Sequence, residues 1–598
     1  RINSQDVYSL GLGFTGRCFL FVVGVQCFCS SPRPVARRTS ERMERATALR
    51  DDDYSLGTYS RKVSSKSQDA VQPWFDRGLV WTYSFNHEAA IRCFEVVLEL
   101  DPSCAMAHWG IAYCNGINYN NQDVNDAPGR FPSNVDACKH ARSALLQKQN
   151  AVQVEQDLID ALQIRCVEPI PASREDMQRV SAKYSEEMRK VFESHPDDPD
   201  VTTVYAESIM NIYPWDFWKG GKAREADSLF KGTAHLLEVL RSGIAKHPNH
   251  PGLLHLYLHA MEMAPNAGDC LPEANRLRTV TEDAGHLLHM PSHIDVVVGN
   301  YRDAIIANSK AIVANCKYIE RNGAASFYLI YCCHDCHMKV YAGMLSGNQK
   351  AATEGAAQVR EWLMREEVQT MMKGGLVHVL EIFVSMHMHA KVRFGQWQCI
   401  LDEPLLPNDD MNRVSTVVYR YARCLAYAAL KDVEKAAIEL ELLKEAYPKV
   451  PPTHIFFKNP VRNLLAIALP MAEGEVEYRR GNFSAAFDHL RQAVDMDDKL
   501  RYDEPWGWMQ PVRHALGALL LEQGLVEEAT SVYRGDLQPG RHPGNVWSLH
   551  GLAECLEKEP QLANDGELEQ VKSACDAALK LADVPVKASC LCRLSKCH

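Results

Sequence analysis

The residues of this sequence that are best suited to chemistry are histidines in three short runs between positions 255 and 337. The first run, HLYLHAME, places His255, His259 and Glu262 at i, i+4 and i+7, which is one face of a helix. Imidazoles at i and i+4 form a two-ligand clamp for a transition metal such as zinc, iron, copper or manganese, and a carboxylate is a suitable third ligand. The second and third runs, HLLHMPSH and HDCH, add the candidate metal ligands His286, His289, His293, His334 and His337.

The first two runs share a spacing. His289 follows His255 by 34 residues, and His293 follows His259 by the same 34. This is the period of tetratricopeptide repeats, whose leading helices line the inner wall of a superhelix. The sequence therefore predicts that the histidines and Glu262 converge on one concave groove. A metal ion there with an open position would carry a water of pKa about 7, and Glu262 is the candidate ligand or catalytic acid-base group.

Other interpretations of the histidines stay open. A polar groove also suits a peptide or a small molecule without metal, and inner-helix histidines also serve structural hydrogen bonds. Pro291 interrupts the second run, which places His286 and His289 either on a helix or on a loop before the helix of His293. The HxxxHxxE spacing differs from the HExxH of zinc peptidases, and the sequence has no phosphate loop, nucleophile elbow or dinucleotide fingerprint. Enzymatic activity is therefore undecided from sequence.

The elements that must position these residues are predicted to be helices. From about residue 71, amphipathic segments of about 12 to 16 residues alternate with short Gly, Asn or Asp turns, and strand-like alternation is scarce. In WFDRGLVWTYSFNHEAAIRCFEVVLELDP, small Gly78 and Ala90 let two helices approach closely, and Phe94 fills the gap between them. Related units recur along the chain. The prediction is an all-α fold, an α-solenoid or superhelix of roughly seven to nine tetratricopeptide-type helix pairs.

A second polar cluster lies in the C-terminal half, in YDEPWGWMQPVR. Aromatic residues beside paired carboxylates and an arginine suit a lid over a ligand, and a rigid loop between repeats is the alternative of equal weight. An Asn-, Asp- and Pro-rich insert at residues 117–132 is expected to be a long loop that borders the groove. The candidates for ligand contacts in the groove are Tyr341, Tyr502, Asp503, Glu504, Trp508 and Arg513.

Composition limits the partners and the location. Asp plus Glu number 76 against 65 Lys plus Arg, a formal charge of −11, so no nucleic-acid partner is expected. No stretch approaches 18 uninterrupted apolar residues, which argues against a membrane protein. The 20 cysteines lack the spacing of a disulfide framework, which favours reduced thiols and a cytoplasmic location. The apolar run at residues 18–29 keeps secretion open, as either a signal peptide or sequence upstream of Met43.

Four parts are expected along the chain. Residues 1–69 form a disordered leader, of which 1–42 are spurious or signal-like. Residues 70–345 form an N-terminal superhelix with the histidine-rich groove, and residues 346–560 form a C-terminal superhelix. Residues 561–598 form a terminal helix and tail.

Four strings resemble a widespread group of tetratricopeptide-repeat proteins that is common in bacteria and present in some eukaryotes. They are FNHEAAIRCFEVVLELDPSCAMAHWGIAY, AGHLLHMPSHI, YCCHDCH and YDEPWGWMQPVR, and the likeness extends from about residue 71 to 556. The chain is more distantly similar to the family of tetratricopeptide repeat protein 38. The group's Y-x-x-H-N-x-H pattern matches Tyr331, His334 and His337, with Asp335 in place of Asn. The resemblance implies the helical-repeat fold and a shared histidine-bearing groove, and it names no substrate.

Two functions follow from these patterns. The first is a scaffold that binds a protein, a peptide or a small ligand in its concave groove. The alternative is a metal-dependent enzyme or metal-binding protein that uses the clustered histidines. Imidazole nitrogens that meet at a common point would favour the second.

Overall fold

The computed structural model describes residues 53–122, 131–171, 173–218, 232–407 and 409–593. Within these ranges the chain is helical almost throughout, and its regular sheet is one short antiparallel pair, β1 (Ile455–Phe456) with β2 (Asn459–Pro460). The all-α prediction is therefore confirmed. The apolar run at residues 18–29, the leader up to residue 52 and residues 123–130 of the insert lie outside the described residues.

The helices before the third histidine run form the first half of the solenoid. They are α1 (Gln68–Tyr83), α2 (His87–Leu100), α3 (Ala105–Cys114), α4 (Asn134–Gln147), α5 (Gln153–Leu162), α6 (Arg174–Ser194), α7 (Pro199–Met210), α8 (Thr233–Lys246), α9 (Pro251–Met261), α10 (Leu271–Leu277), α11 (Gly285–His289), α12 (Pro291–Val298) and α13 (Tyr301–Asn322). Sequential neighbours such as α1 and α2, or α3 and α4, pack as pairs.

The helices from the third histidine run onwards continue the same arrangement. They are α14 (Leu329–Ser346), α15 (Gln349–Leu363), α16 (Glu366–Met371), α17 (Val377–Val384), α18 (Met386–Arg393), α19 (Trp397–Asp402), α20 (Arg413–Ala429), α21 (Val433–Ala446), α22 (Val461–Ala466), α23 (Ala468–Arg480), α24 (Phe483–Asp498), α25 (Val512–Glu522), α26 (Val526–Asp536), α27 (Val546–Lys558) and α28 (Glu567–Leu579). The pairs α14 with α15, α20 with α21 and α23 with α24 are closely packed. The predicted superhelix of tetratricopeptide-type helix pairs is confirmed.

The first pair shows why this sequence makes paired helices. The Asn86 side chain accepts a hydrogen bond from the amide of Ala89 and so caps the start of α2. Phe94 on α2 is fully buried between α1 and α3. A Cβ atom on Gly78 or on Gly110 would lie 2.5 Å from its ring, so only glycine allows this approach. Tyr533 on α26 is held in the same way between Gly517 and Gly551.

Part of the predicted leader is packed against the repeats. Tyr54, Leu56 and Val63 are buried, and Arg61 forms ion pairs of 2.7 Å with Asp198 and Asp200 at the start of α7. The prediction of disorder is therefore wrong for residues 53–69. The segment is rich in charged residues and serine, so its few apolar side chains form no pattern that predicts packing.

The second half of the chain folds back onto the first. Trp547 Nε1 donates to the carbonyl oxygen of Met344 at 2.6 Å, and the hydroxyl of Tyr301 donates to the carbonyl oxygen of Pro543 at 2.9 Å. One hydrophobic core contains residues of both halves. The predicted boundary at residue 345 falls in the last turn of α14, and the division into two superhelices stays a prediction.

Two further expectations concern membranes and thiols. Among the described helices, none combines the length and the apolar content needed to cross a bilayer. The sulfur atoms of Cys138 and Cys166 are bonded to each other, as are those of Cys590 and Cys592. The prediction of reduced thiols is therefore wrong for these four residues, because α4 and the chain after α5 bring residues 28 positions apart into contact.

Candidate metal centre

Four helices bring the histidines of the three runs together. The ligand candidates are His255 and His259 on α9, His286 and His289 on α11, His293 on α12, and His334 on α14. Met290 between α11 and α12 has helical backbone angles, so Pro291 removes one hydrogen bond without diverting the chain. The histidines of the second run therefore share one helical face at i, i+3 and i+7, rather than a loop.

The first group of nitrogens belongs to His289, His293 and His334, here named triad B. The Nε2 atoms of His289 and His293 lie 2.6 Å apart, and those of His293 and His334 lie 3.3 Å apart. Two nitrogens bound to one tetrahedral ion with bonds of 2.0–2.1 Å would be about 3.4 Å apart. The 3.3 Å distance matches this spacing, the 2.6 Å distance is shorter, and the three imidazoles converge on one point.

The opposite ring nitrogens of triad B are held by hydrogen-bond acceptors. His289 Nδ1 donates to Asn308 Oδ1 at 2.6 Å, and His293 Nδ1 donates to Glu262 Oε2 at 2.5 Å. An imidazole that carries its proton on Nδ1 presents a lone pair on Nε2. The two acceptors therefore fix the tautomer that a metal ion requires.

A second group, here named triad A, consists of His255, His259 and His286. Their ligand atoms lie within 4.8 Å of one another. His255 Nδ1 donates to the carbonyl oxygen of Tyr83 at 2.6 Å, and His259 Nδ1 donates to Glu262 Oε1 at 2.9 Å. The Nε2 atoms of both rings, and both nitrogens of His286, have no hydrogen-bond partner among the described residues.

Burial keeps these imidazoles neutral. Desolvation holds the pKa values of His255, His286, His289 and His334 well below the usual value, and it also lowers that of His259. A neutral imidazole is the form that binds a metal ion. Each buried polar atom without a partner costs about 1–3 kcal/mol, so the free nitrogens of triad A favour a bound cation.

Glu262 and Glu504 place two carboxyl groups beside the histidines. Both approach His293 Nδ1, and both side chains are buried. Burial by itself would raise the pKa of Glu262, but His293, a hydrogen bond with Glu504 and His259 hold it below the usual value. The pKa of Glu504 is raised well above its usual value by burial and by the charge of Glu262. Glu262 is therefore the ionised member of the pair.

The sequence predicted that the histidines line an open groove. In the structure they are buried instead. The exposed fraction of His255, His259, His286 and His289 is 0%, and that of His334 is 5%. The ring of Phe457, at the β1–β2 turn, lies 5.3 Å from that of His334. A later repeat thus covers His334, whereas Phe85 of the first half packs on the three rings of triad A.

The YDEPWGWMQPVR candidates divide into two sets. The hydroxyl of Tyr502 lies 3.4 Å from Glu262 Oε2, and Glu504 contacts His293, so these two reach the cluster. Asp503 instead accepts from the amide of Lys458 at 3.0 Å and from Asn459 Nδ2 at 2.5 Å, which fixes the β1–β2 turn. Burial raises the pKa of Asp503 to about 7 and lowers that of Lys458 to about 8.

Four other candidates lie away from the two triads. Trp508 packs against His389, with ring centroids 5.2 Å apart, and Arg513 pairs with Asp498 at 2.6 Å. Tyr341 approaches His542 at 6.3 Å between ring centroids, and His337 packs against Phe456 at 5.6 Å. His337 lies one turn further along α14 than His334, and its ring packs against both Phe383 and Phe456.

The sequence gave no indication of several residues that hold the site. Asn308 on α13 and the carbonyl oxygen of Tyr83 orient two of the histidines, and neither belongs to a recognisable motif. The rings of Tyr119 and Trp215 lie 5.0 Å and 5.5 Å from that of His259. Tyr119 belongs to the insert at residues 117–132, so this part of the insert does border the cluster. Aromatic residues that border a buried cluster, such as Tyr119 and Trp215, belong to no sequence motif that would identify them.

Comparison with known proteins adds little beyond the fold. No protein-family model matches this chain, and no curated protein is significantly similar to it in sequence. Among solved structures, the human IFIT1 dimer with m7Gppp-AAAA has 11% identity, a TM-score of 0.29 and coverage of 92% of this chain and 94% of that chain. The human IFIT1 dimer with PPP-AAAA has 13% identity, a TM-score of 0.30 and coverage of 85% and 89%.

Yeast Tom70 has 11% identity, a TM-score of 0.23 and coverage of 85% of this chain and 88% of that chain. Similarities this low carry no conclusion about ligand or function. The resemblance to the bacterial group therefore stays a resemblance. The helix pairs themselves show that this chain is an all-α solenoid of the tetratricopeptide type.

Proposed function

We propose that this protein binds a divalent transition metal ion at triad B, and that this metal centre is the basis of its function. The observation that carries the proposal is the meeting of three Nε2 atoms from His289, His293 and His334 in a buried site. Two of these imidazoles have their Nδ1 atoms occupied by acceptors, which is the usual support of a metal-bound histidine.

The donor set favours particular ions. Three neutral imidazoles suit zinc, copper, iron or nickel better than magnesium or calcium, which prefer oxygen ligands. Three protein ligands leave the fourth position of a tetrahedral zinc ion open, as in catalytic zinc sites, where the ion supplies Lewis acidity and an activated water. In such a site Glu262, ionised and hydrogen-bonded to His293, would hold the ring in place.

The test is the metal content of the full chain purified without chelator, measured by elemental analysis. We expect at least one equivalent of a transition metal per chain, and its loss in a double variant with His289→Ala and His293→Ala. The control is His235→Ala, because that side chain is 52% exposed and lies on α8 away from the cluster. Absence of metal, together with no zinc uptake by the purified chain, would overturn the proposal.

A scaffold that binds a protein, peptide or small molecule is the second candidate, since helix-pair solenoids present extended surfaces. Because the histidines are covered, such a partner would use a surface outside the cluster. The exclusion of nucleic acid rests on net charge alone and stays a prediction, as do the exclusion of a membrane and the cytoplasmic location.

A further inference from the structure

Triad A, on α9 and α11, repeats the construction of triad B, on α11, α12 and α14. We propose that His255, His259 and His286 hold a second transition metal ion, so that the centre is binuclear, with Glu262 linking the two triads. This inference rests on the proposed metal at triad B and extends it. The ligand atoms of each triad lie within 4.8 Å of one another, and all six side chains are buried.

The orientation of the triad A rings supports a metal ion. His255 and His259 stand at i and i+4 on α9, and each uses Nδ1 for a hydrogen bond, to the carbonyl oxygen of Tyr83 and to Glu262. Their Nε2 atoms therefore carry lone pairs. These atoms and both nitrogens of His286 lack hydrogen-bond partners among the described residues. A water molecule has two protons to donate and would leave one of three converging lone pairs unsatisfied, whereas a metal ion accepts all three.

Glu262 connects the two triads through its two oxygens. Oε1 accepts from His259 Nδ1 at 2.9 Å, and Oε2 accepts from His293 Nδ1 at 2.5 Å. One carboxylate thereby fixes an imidazole of each triad, and both rings keep Nε2 free of a proton. Glu262 is in this arrangement a positioning residue for both metal ions.

The surrounding charge also suits two cations. Glu504 contacts His293 Nδ1, and Asp335 Oδ1 lies 3.3 Å from His289 Nδ1, so two more buried carboxyl groups adjoin the cluster. Two divalent ions bring four positive charges into a buried site, and such charges require nearby anions. Glu262, which is ionised, and these two carboxyl groups are the candidates for that role among the described residues.

The experiment is metal titration of the full chain after removal of metal with a chelator. Zinc bound after desalting is measured by elemental analysis, and we expect two equivalents in the unaltered chain, one in His286→Gln and one in His289→Gln. His235→Ala should keep two. We expect Glu262→Gln to weaken both sites by 10- to 100-fold, because its amide cannot accept from both Nδ1 atoms.

The outcomes separate the two proposals. One equivalent in the unaltered chain, unchanged in His286→Gln but lost in His289→Gln, would overturn the second site and leave the first. No uptake at all would overturn both. Cobalt titration of the unaltered chain avoids any dependence on folding of the variants. The optical absorbance of bound Co²⁺ should rise until two equivalents have been added, and saturation at one equivalent would overturn the second site.

Discussion

At the scale of single residues, the metal proposal depends on what each histidine does with its second nitrogen. His255, His259, His289 and His293 each place Nδ1 on an oxygen atom, so that Nε2 is left for a ligand role. Two of these oxygens, Oδ1 of Asn308 and the carbonyl oxygen of Tyr83, belong to residues that no histidine motif predicts. Metal affinity should therefore depend on them almost as much as on the ligands.

Asn308 gives a direct test of this dependence. Its Oδ1 accepts from His289 Nδ1 at 2.6 Å, and Asn308→Leu removes that acceptor with little change in volume. We expect zinc affinity at triad B to fall by about 10- to 100-fold, measured by competition with a chromophoric chelator. Ser309→Ala is the control, because its hydroxyl bonds only to the carbonyl oxygen of Ile305 on the same helix. Equal affinities of Asn308→Leu and the unaltered chain would exclude an orienting role.

At the scale of elements, the segment at residues 53–67 is tied to the solenoid by one buried carboxylate. Asp200, at the start of α7, accepts from the hydroxyls of Tyr59 and Tyr83 and from Arg61 at 2.7 Å. Burial by itself would raise the pKa of Asp200, but Arg61 and His250 hold it well below the usual value. The carboxylate is therefore ionised in the folded protein.

We predict that Asp200→Asn destabilises the fold by about 1–3 kcal/mol near pH 7, because Arg61 then keeps only Asp198 as an ionised partner. The folded pKa lies below the unfolded value of about 3.9, so the contribution is complete above that pH and is lost as pH falls below it. Urea unfolding of both proteins should show a constant difference from pH 8 to 5 that shrinks below about pH 4.

Asp197→Asn is the matched control for this pH series, because Asp197 lies three residues earlier and its side chain is 84% exposed. It should leave the stability nearly unchanged. A difference between Asp200→Asn and the unaltered chain that already declines between pH 7 and 6 would contradict the assignment to the Asp200 carboxyl.

At the scale of the whole molecule, the histidine cluster is buried because the solenoid closes on itself. The hydroxyl of Tyr502 and Oε2 of Glu262, which are 240 residues apart in sequence, lie 3.4 Å apart. Phe457 covers His334 from the same side. Metal binding in the first half should therefore reduce the local opening of the segments of the second half that cover the cluster, residues 454–460 and 499–508.

Hydrogen exchange measured by mass spectrometry tests this link. After zinc is added to the metal-free chain, we expect slower exchange in residues 454–460 and 499–508, because Glu504 and Tyr502 contact residues whose positions the ion fixes. Helix α28, which is mostly exposed, should not change and serves as the internal control. Equal changes in α28 and the covering segments, or none in the latter, would contradict a connection between cover and metal.

The amino-acid sequence by itself determined the helix pairs and predicted a convergence of seven histidines, six of which the structure brings together. Both depend on local information. Gly78 and Phe94 indicate that adjacent helices approach closely, and the 34-residue offset from His255 to His289 equals the length of one repeat. Sequence patterns also identified Tyr502 and Glu504, but as a lid over a groove rather than as neighbours of Glu262.

Only the tertiary structure decided that the cluster is closed, that Asn308 and the carbonyl oxygen of Tyr83 orient its rings, and that Trp508 and Arg513 lie elsewhere. The position of Glu504 beside His293 follows from the summed small rotations between all the intervening helix pairs. No single pair encodes that sum, and a small change in each rotation would leave the histidines facing an open groove.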